Sequence, residues 1–207
     1  MRKLYIILGI VILAIAALYF WIKTKRNQDT NEPNVSPEKK SKNIPIVLEF
    51  DKNDLYSTSD LDDHLYNLIQ KYYPDYDDES FDYLDSVART FVLIVNLDGQ
   101  VQNGGLIQFI DNSTGDYFHE TIEAAKIIEN DQLVEVLTRI TTEYPNKQIP
   151  KDWDERRELW DLMCEKHEGD EKWDKFWEDL DDQYYDNANL MNQKLIEYLK
   201  ATAKIKG

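Results

Sequence analysis

Apolar and polar positions divide the chain into three segments with different patterns. Residues 4–22 form an apolar run without a charged side chain, and residues 23–44 are polar and contain two prolines. Beyond them, apolar residues recur at three- and four-residue steps, which place them on one face of a helix. The pattern predicts a membrane anchor over residues 1–22, a flexible linker over 23–44 and an all-α, multi-helix domain over 45–207.

The apolar run has the length of a membrane-spanning helix. Nineteen helical residues extend over roughly 28 Å, close to the thickness of a bilayer core. A cleaved signal peptide is the alternative, but its apolar region is shorter and ends at small residues, whereas this run ends in Tyr19, Phe20 and Trp21. Because basic residues flank both ends, the charge rule leaves the side of the domain undetermined. We expect a single-pass membrane protein.

Within the domain, the apolar periodicity predicts a series of helices separated by turns. Residues 45–50 are expected to form a short strand or an extended arm. Ser80 is expected to cap the second helix and Gly99 to end it. Residues 75–79 are predicted as an acidic turn and 111–115 as a loop. The predicted helices cover residues 60–72, 80–99, 106–110, 116–129, 131–144, 152–167, 170–186 and 188–203.

The net charge of the chain limits the classes of partner that it can bind. The chain has 40 acidic and 24 basic residues, a net charge of -16. Five of the basic residues lie within residues 1–26, so the remainder carries 40 acidic against 19 basic side chains. Such a surface repels nucleic acid and attracts basic proteins. We therefore expect a basic protein partner and no direct binding of nucleic acid. The hydrophobic content of 42% excludes a disordered acidic tail.

The most distinctive segment runs from Val101 to Asn112, with the sequence VQNGGLIQFIDN. Its paired glycines permit a positive φ angle and a close approach of two helices. Asn103 can cap the following helix, and Gln108 and Asn112 would share one face of it. Two interpretations remain open: a tight corner between helices, or a ligand pocket lined by these three amides.

This segment resembles the V-x-N-G-G-[FL]-x-Q-[FY]-[FI]-x-N motif of a bacterial family of DNA-mimic proteins. The flanking segments TIEAAKII and LDDQYYDNANLMNQKLIEYLK are similar to the family as well, so the resemblance covers roughly residues 60–203. The resemblance implies an all-α fold, no known catalysis and action through protein–protein interaction. The motif positions are Val101, Asn103, Gly104, Gly105, Gln108, Phe109 and Asn112.

Two acidic concentrations are candidates for an interaction surface. In residues 171–184, Trp173, Trp177, Leu180 and Tyr184 fall on one helical face and carboxylates recur on another. The same spacing is typical of an ordinary amphipathic helix with a solvated face, so both interpretations stay open. The candidate residues are Glu171, Asp174, Glu178, Asp181 and Asp182 in this helix, and Asp75, Asp77, Asp78 and Glu79 in the turn.

The sequence contains no complete catalytic or metal-binding motif. Gly105 and Leu106 occupy the positions at which a phosphate-binding loop needs lysine and serine or threonine. The turn at 75–79 begins like a calcium loop but lacks its required glycine and final glutamate. Cys164 and His167 provide at most half of a zinc site. We expect neither enzymatic activity nor a cofactor or metal.

Three functional hypotheses follow from these patterns. The first is a membrane-anchored acidic protein that binds a basic partner through its carboxylates. The second is an immunity-type protein that neutralises a cationic toxin or nuclease. The third is a ligand-binding or enzymatic domain with its pocket at the paired glycines.

Overall fold

The computed structural model describes residues 45–56, 61–73 and 78–206, and these residues are mostly helical, as predicted. The two strands are β1 (Glu49–Phe50) and β2 (Lys204–Ile205), and short 3₁₀-helices occur at Ser113–Tyr117 and Pro145–Lys147. The α-helices are α1 (Lys52–Leu55), α2 (Leu61–Tyr72), α3 (Asp78–Phe81), α4 (Ser86–Asp111), α5 (Phe118–Ile127), α6 (Asp131–Thr141), α7 (Trp153–Lys166) and α8 (Glu171–Thr202).

The predicted membrane anchor and linker, residues 1–44, lie outside the described residues. Among the helices that are described, none combines the length and apolar character needed to cross a bilayer. The described residues belong to one compact unit, Asn43–Gly207.

Helix α4 lies at the centre of the domain, where it contacts α2, α5, α7 and α8. The residue that caps the N-terminus of α4 is not the predicted one. Asp85 accepts a hydrogen bond from the backbone N–H of Ala88 at 2.8 Å, whereas the hydroxyl of Ser80 is hydrogen-bonded to Tyr73 at 2.6 Å. The prediction of Ser80 was wrong because the short helix α3 ends at Phe81 and a new helix begins only at Ser86.

Gly99 does not end α4, so that prediction was also wrong. Leu97 and Val101 on either side of it are fully buried, and the packing of this apolar face continues the helix through the glycine. The break falls at the paired glycines, as predicted: Gly104 has φ -169° and Gly105 has φ 76°. Two helical halves, before and after this break, therefore make up α4.

Helix α8 is a single element of 32 residues, where two helices were predicted. The predicted break at Asn187 is absent because the buried stripe of α8 runs through this residue. Asn187 is 1% exposed, and its amide donates a hydrogen bond to Asn130 Oδ1 at 3.2 Å. A polar residue that is buried and hydrogen-bonded continues the core face of a helix.

Residues 45–50 form both a short strand and an extended arm, the two alternatives that were predicted for them. Ile46 makes a bridge to Leu84, and β1 pairs in parallel with β2 near the C-terminus. Lys71 binds Asp51 at 3.1 Å and Asp54 at 2.6 Å beside this pairing. Hydrogen bonds from Lys71 hold the pKa of both carboxyl groups below the usual range. These contacts join the first and last described segments of the domain.

Candidate functional site

The paired glycines form a corner that is closed by a carboxylate from α8. Asp181 Oδ1 accepts a hydrogen bond of 2.8 Å from the backbone N–H of Leu106, the first residue of the second half of α4. A Cβ atom on Gly105 would lie 2.6 Å from Asp181 Oδ2. Glycine is needed at this position for two reasons, since its φ of 76° is also unfavourable for other residues. The motif therefore fixes the position of α8 against α4.

Two amides of the motif, those of Gln108 and Asn112, are bonded to Gln100, the residue that precedes the motif. Gln108 Nε2 donates to Gln100 Oε1 at 3.1 Å, and Asn112 Nδ2 donates to the same oxygen. Gln108 and Asn112 thus share one face, as predicted. The predicted cap does not form, because Asn103 is exposed and Asp181 takes the capping position. These contacts favour the interhelical corner over the ligand pocket.

The remaining motif positions belong to the core. Val101 and Phe109 are buried, and the backbone carbonyl of Val101 accepts a hydrogen bond from the Tyr185 hydroxyl at 2.9 Å. The neighbouring Tyr184 hydroxyl donates to Asp98 Oδ1 at 2.8 Å. Burial raises the pKa of Tyr185, with further contributions from nearby carboxylates. Two consecutive tyrosines of α8 therefore bind α4 just before its break.

The sequence did not identify Arg156, although it is the most buried charged residue among those described, at 1% exposure. Its guanidinium donates to the carbonyls of Ile110 at 2.6 Å, Pro150 at 2.9 Å, Lys151 at 3.0 Å and Asn112 at 3.1 Å. A further bond of 2.7 Å joins it to Asp116 Oδ1. These acceptors use all five N–H donors of the side chain.

The helical pattern contained a signal for this arginine. Arg156 shares one face of α7 with Leu159, Trp160 and Met163, which are three, four and seven residues further on and pack in or against the core. A cation on the apolar face of an amphipathic helix indicates a buried binding partner. In this fold the partners are carbonyls at the end of the motif segment and before α7, together with the carboxylate of Asp116.

Helix α7 and the first half of α8 form an acidic hairpin, defined as residues 153–186. Trp160 of α7 packs on Trp173 and Trp177 of α8, with ring centroids 5.5 and 5.1 Å apart. Gly169, at φ 74°, makes the turn, and Asp170 caps α8. Trp177, Leu180 and Tyr184 are buried, which confirms the predicted apolar face. Large aromatic contacts thus hold the two helices together.

Negative charge is concentrated on this acidic hairpin. Its 34 residues include 14 acidic and 5 basic side chains, a net charge of -9. The other 120 described residues carry 20 acidic and 11 basic side chains, which also gives -9. The density of net charge is therefore more than three times higher on the hairpin. Helix α7, which the sequence did not single out, adds Asp154, Glu155, Glu158, Asp161 and Glu165.

Most of the predicted carboxylates in α8 face solvent. Glu171, Asp174, Glu178 and Asp182 are exposed, and within the described segments none of them lies within 4.0 Å of a cationic side chain. Asp181 differs, because it is half-buried and binds the backbone of Leu106. Its main contact is structural, although it belongs to the predicted surface.

The second acidic concentration is only partly described. Asp75 and Asp77 lie outside the described residues, while Asp78 and Glu79 begin α3. The interaction surface proposed for this turn therefore stays a prediction.

Cys164 and His167 have local roles at the end of α7. Burial raises the pKa of the half-buried Cys164 thiol. The imidazole of His167 stacks on Trp173 at 5.1 Å, and its Nδ1 lies 3.3 Å from Asp170 Oδ2. Over the described part of the chain, no group of three His, Cys, Asp or Glu side chains is arranged to hold a metal ion.

Comparison with known proteins places these features in a family. The family model described as DMP19-like protein matches residues 82–202, from just before α4 to the end of α8. The matched region includes the glycine corner, Arg156 and the acidic hairpin. Searches of curated proteins and of solved structures each gave no match. Because the model covers more than half of the chain, this protein belongs to the DMP19-like family, a family of DNA mimics.

Proposed function

We propose that this protein is a membrane-anchored, acidic binding protein whose hairpin engages a basic protein in place of nucleic acid. The observation that carries the proposal is the concentration of exposed carboxylates on two helices locked together by tryptophans. Membership in the family supports action on a protein partner. In this proposal the chain has no catalytic role.

Rigid support of the carboxylates is important for such a role. Asp181 fixes α8 at the glycine corner, and the contact between Trp160 and Trp177 fixes α7 on α8. Charges held on a rigid scaffold accelerate association with a cationic surface and make binding sensitive to salt. The hairpin can thus present its negative field without first becoming ordered.

The decisive experiment neutralises the hairpin and leaves the corner intact. The test variant combines Asp174→Asn, Glu178→Gln and Asp182→Asn, with Asp181 unchanged because it caps Leu106. The matched control combines Glu129→Gln, Glu135→Gln and Glu197→Gln, which neutralise three exposed carboxylates outside the hairpin. The full chain in detergent is incubated with the DNA-binding protein fraction of its own cells. Competition by duplex DNA and by salt is then measured.

We expect the wild type and the control to retain a specific protein that duplex DNA and salt both release. The test variant should retain much less of it. Retention that is unaffected by DNA, by salt and by the test variant would contradict the proposal. An immunity-type role is distinguished by the captured protein itself, since it predicts a toxin or nuclease whose activity the chain inhibits.

The membrane anchor is part of the proposal and is tested separately. Residues 4–22 would hold the domain at a bilayer through a helix of roughly 28 Å. Protease added to intact cells cuts the domain only if it is outside, and protease added to inverted vesicles cuts it only if it is inside. A DNA-binding partner requires the inside position. Recovery of the chain in the soluble fraction would refute the anchor.

A further inference from the structure

A groove separate from the acidic hairpin lies between α2 and α4 and has a volume of about 240 Å³. Its apolar lining comes from Leu65 and Ile69 of α2 and Val95 of α4. The ring of Tyr66 lines it from α2 and the ring of Tyr73 from the position just after α2. Among the described residues that line it, Asp98 is the charged one. The groove therefore combines an apolar surface, aromatic rings and the negative charge of Asp98.

Gly99 leaves this groove open. The glycine lies in the interior of the first half of α4, where glycine costs about 0.5–1 kcal/mol relative to alanine. A Cβ atom at this position would meet nothing within 4 Å, so no close approach of another group demands glycine. The missing side chain leaves space along the lining that a larger residue would occupy.

We propose that this groove binds one arginine side chain of the basic partner, an inference that rests on the proposed function and specifies how the partner is anchored. The methylene groups of an arginine match Leu65, Ile69 and Val95. Its planar guanidinium can stack on a tyrosine ring and donate to a carboxylate. The negative charge of Asp98 in the lining is complementary to this group.

Asp98 is already oriented for this contact. Its Oδ1 atom accepts the Tyr184 hydroxyl at 2.8 Å, which holds the carboxylate from the side of α8, and the Gln102 amide at 3.5 Å. A carboxylate has about four acceptor positions on its two oxygens, so the bonds to Oδ1 are compatible with a further donor from a ligand. The half-buried position of Asp98 also strengthens its attraction for a cation relative to a fully solvated carboxylate.

The groove is connected to the family motif. Gln100, which lines the groove, is also the residue whose Oε1 accepts from Gln108 and Asn112. The same stretch of α4 therefore contributes to the groove, the amide cluster and the tyrosine contacts of α8. Buried anchors of this kind determine dissociation, whereas the exposed carboxylates of the hairpin affect association.

A titration with defined peptides tests the arginine site directly. The full chain is methyl-labelled in detergent micelles and titrated with acetyl-Ala-Arg-Ala-amide. The control peptide replaces arginine with citrulline, which has nearly the same shape without the charge. We expect saturable shifts of the Leu65, Ile69 and Val95 methyl signals with arginine and much smaller shifts with citrulline. Equal responses to both peptides, or no response, would overturn the proposal.

Two variants localise the effect. Gly99→Leu should fill the groove and abolish the arginine response while the thermal midpoint stays at or above that of wild type. Asp98→Asn retains an oxygen that accepts from Tyr184, so it should keep the fold but lose the preference for arginine over citrulline. An arginine response that persists unchanged in both variants would also overturn the proposal.

The affinity for the partner distinguishes failure of the arginine site from failure of the proposed function. Gly99→Leu should weaken partner binding by about tenfold or more, mainly through faster dissociation. If neutralising the hairpin abolishes partner binding and Gly99→Leu binds the partner like wild type, the proposed arginine site is contradicted and the proposed function is supported. Gly99→Leu could instead abolish the peptide response while partner binding does not change with hairpin charge or with salt. In that case the arginine site is supported and the proposed function is contradicted.

Discussion

At the scale of single residues, the buried guanidinium of Arg156 connects the end of α4, the following 3₁₀ turn and the loop before α7. Arg156→Lys replaces five fixed donors with three and leaves backbone carbonyls without partners in the interior. We expect the free energy of unfolding to fall by about 2–4 kcal/mol, because unpaired buried acceptors and a displaced buried charge are both costly. Urea denaturation of the full chain measures this loss.

The adjacent arginine supplies the control. Arg157 is exposed and its guanidinium lies 5.1 Å from the ring of Trp153. Arg157→Lys should change the free energy of unfolding by less than about 0.5 kcal/mol. Equal effects at both positions would show that the hydrogen bonds of Arg156 do not stabilise the fold.

At the scale of elements, α4 contains two glycines for which the same substitution has opposite effects. Gly105→Ala places a Cβ 2.6 Å from Asp181 Oδ2 at a φ of 76°, and should cost about 2–4 kcal/mol. Gly99→Ala meets open space in a helix interior and should gain about 0.5–1 kcal/mol. Thermal or urea denaturation of the two variants measures the difference.

A double substitution identifies the cause of the Gly105 effect. In an Asp181→Ala background the steric clash is absent, so Gly105→Ala should cost only the conformational part of about 1–2 kcal/mol. An unchanged cost would mean that the approach of Asp181 is not the reason for glycine at this position.

The same helix shows how far the sequence predicts an element. The paired glycines predicted the break correctly, because local backbone preference and the long-range contact with Asp181 favour the same conformation. Gly99 did not end the helix, because packing around Leu97 and Val101 outweighs the preference of a single residue. Asp181 could be placed on a helix from its spacing, but its contact 75 residues away along the chain could not be deduced from a periodic pattern.

At the scale of the whole molecule, the acidic hairpin should reduce stability, as expected of a surface that is proposed to serve binding. Thirteen of its 14 carboxylates are exposed. Within the described segments, the contact of Asp170 with the imidazole of His167 is the only one that a hairpin carboxylate makes with a basic side chain. Crowded like charges destabilise a folded state through mutual repulsion, and salt screens that repulsion. A surface selected only for stability would contain more cations between these carboxylates.

The variant with Asp174→Asn, Glu178→Gln and Asp182→Asn should therefore unfold at a higher urea concentration than wild type at low salt. The expected gain is below about 1 kcal/mol, because exposed charges interact weakly, and it should shrink as salt is added. Urea is the appropriate denaturant, since an ionic denaturant would itself screen the charges. The control with Glu129→Gln, Glu135→Gln and Glu197→Gln should gain less. Higher stability together with weaker partner binding is expected if these carboxylates serve recognition, whereas lower stability would indicate that they support the hairpin.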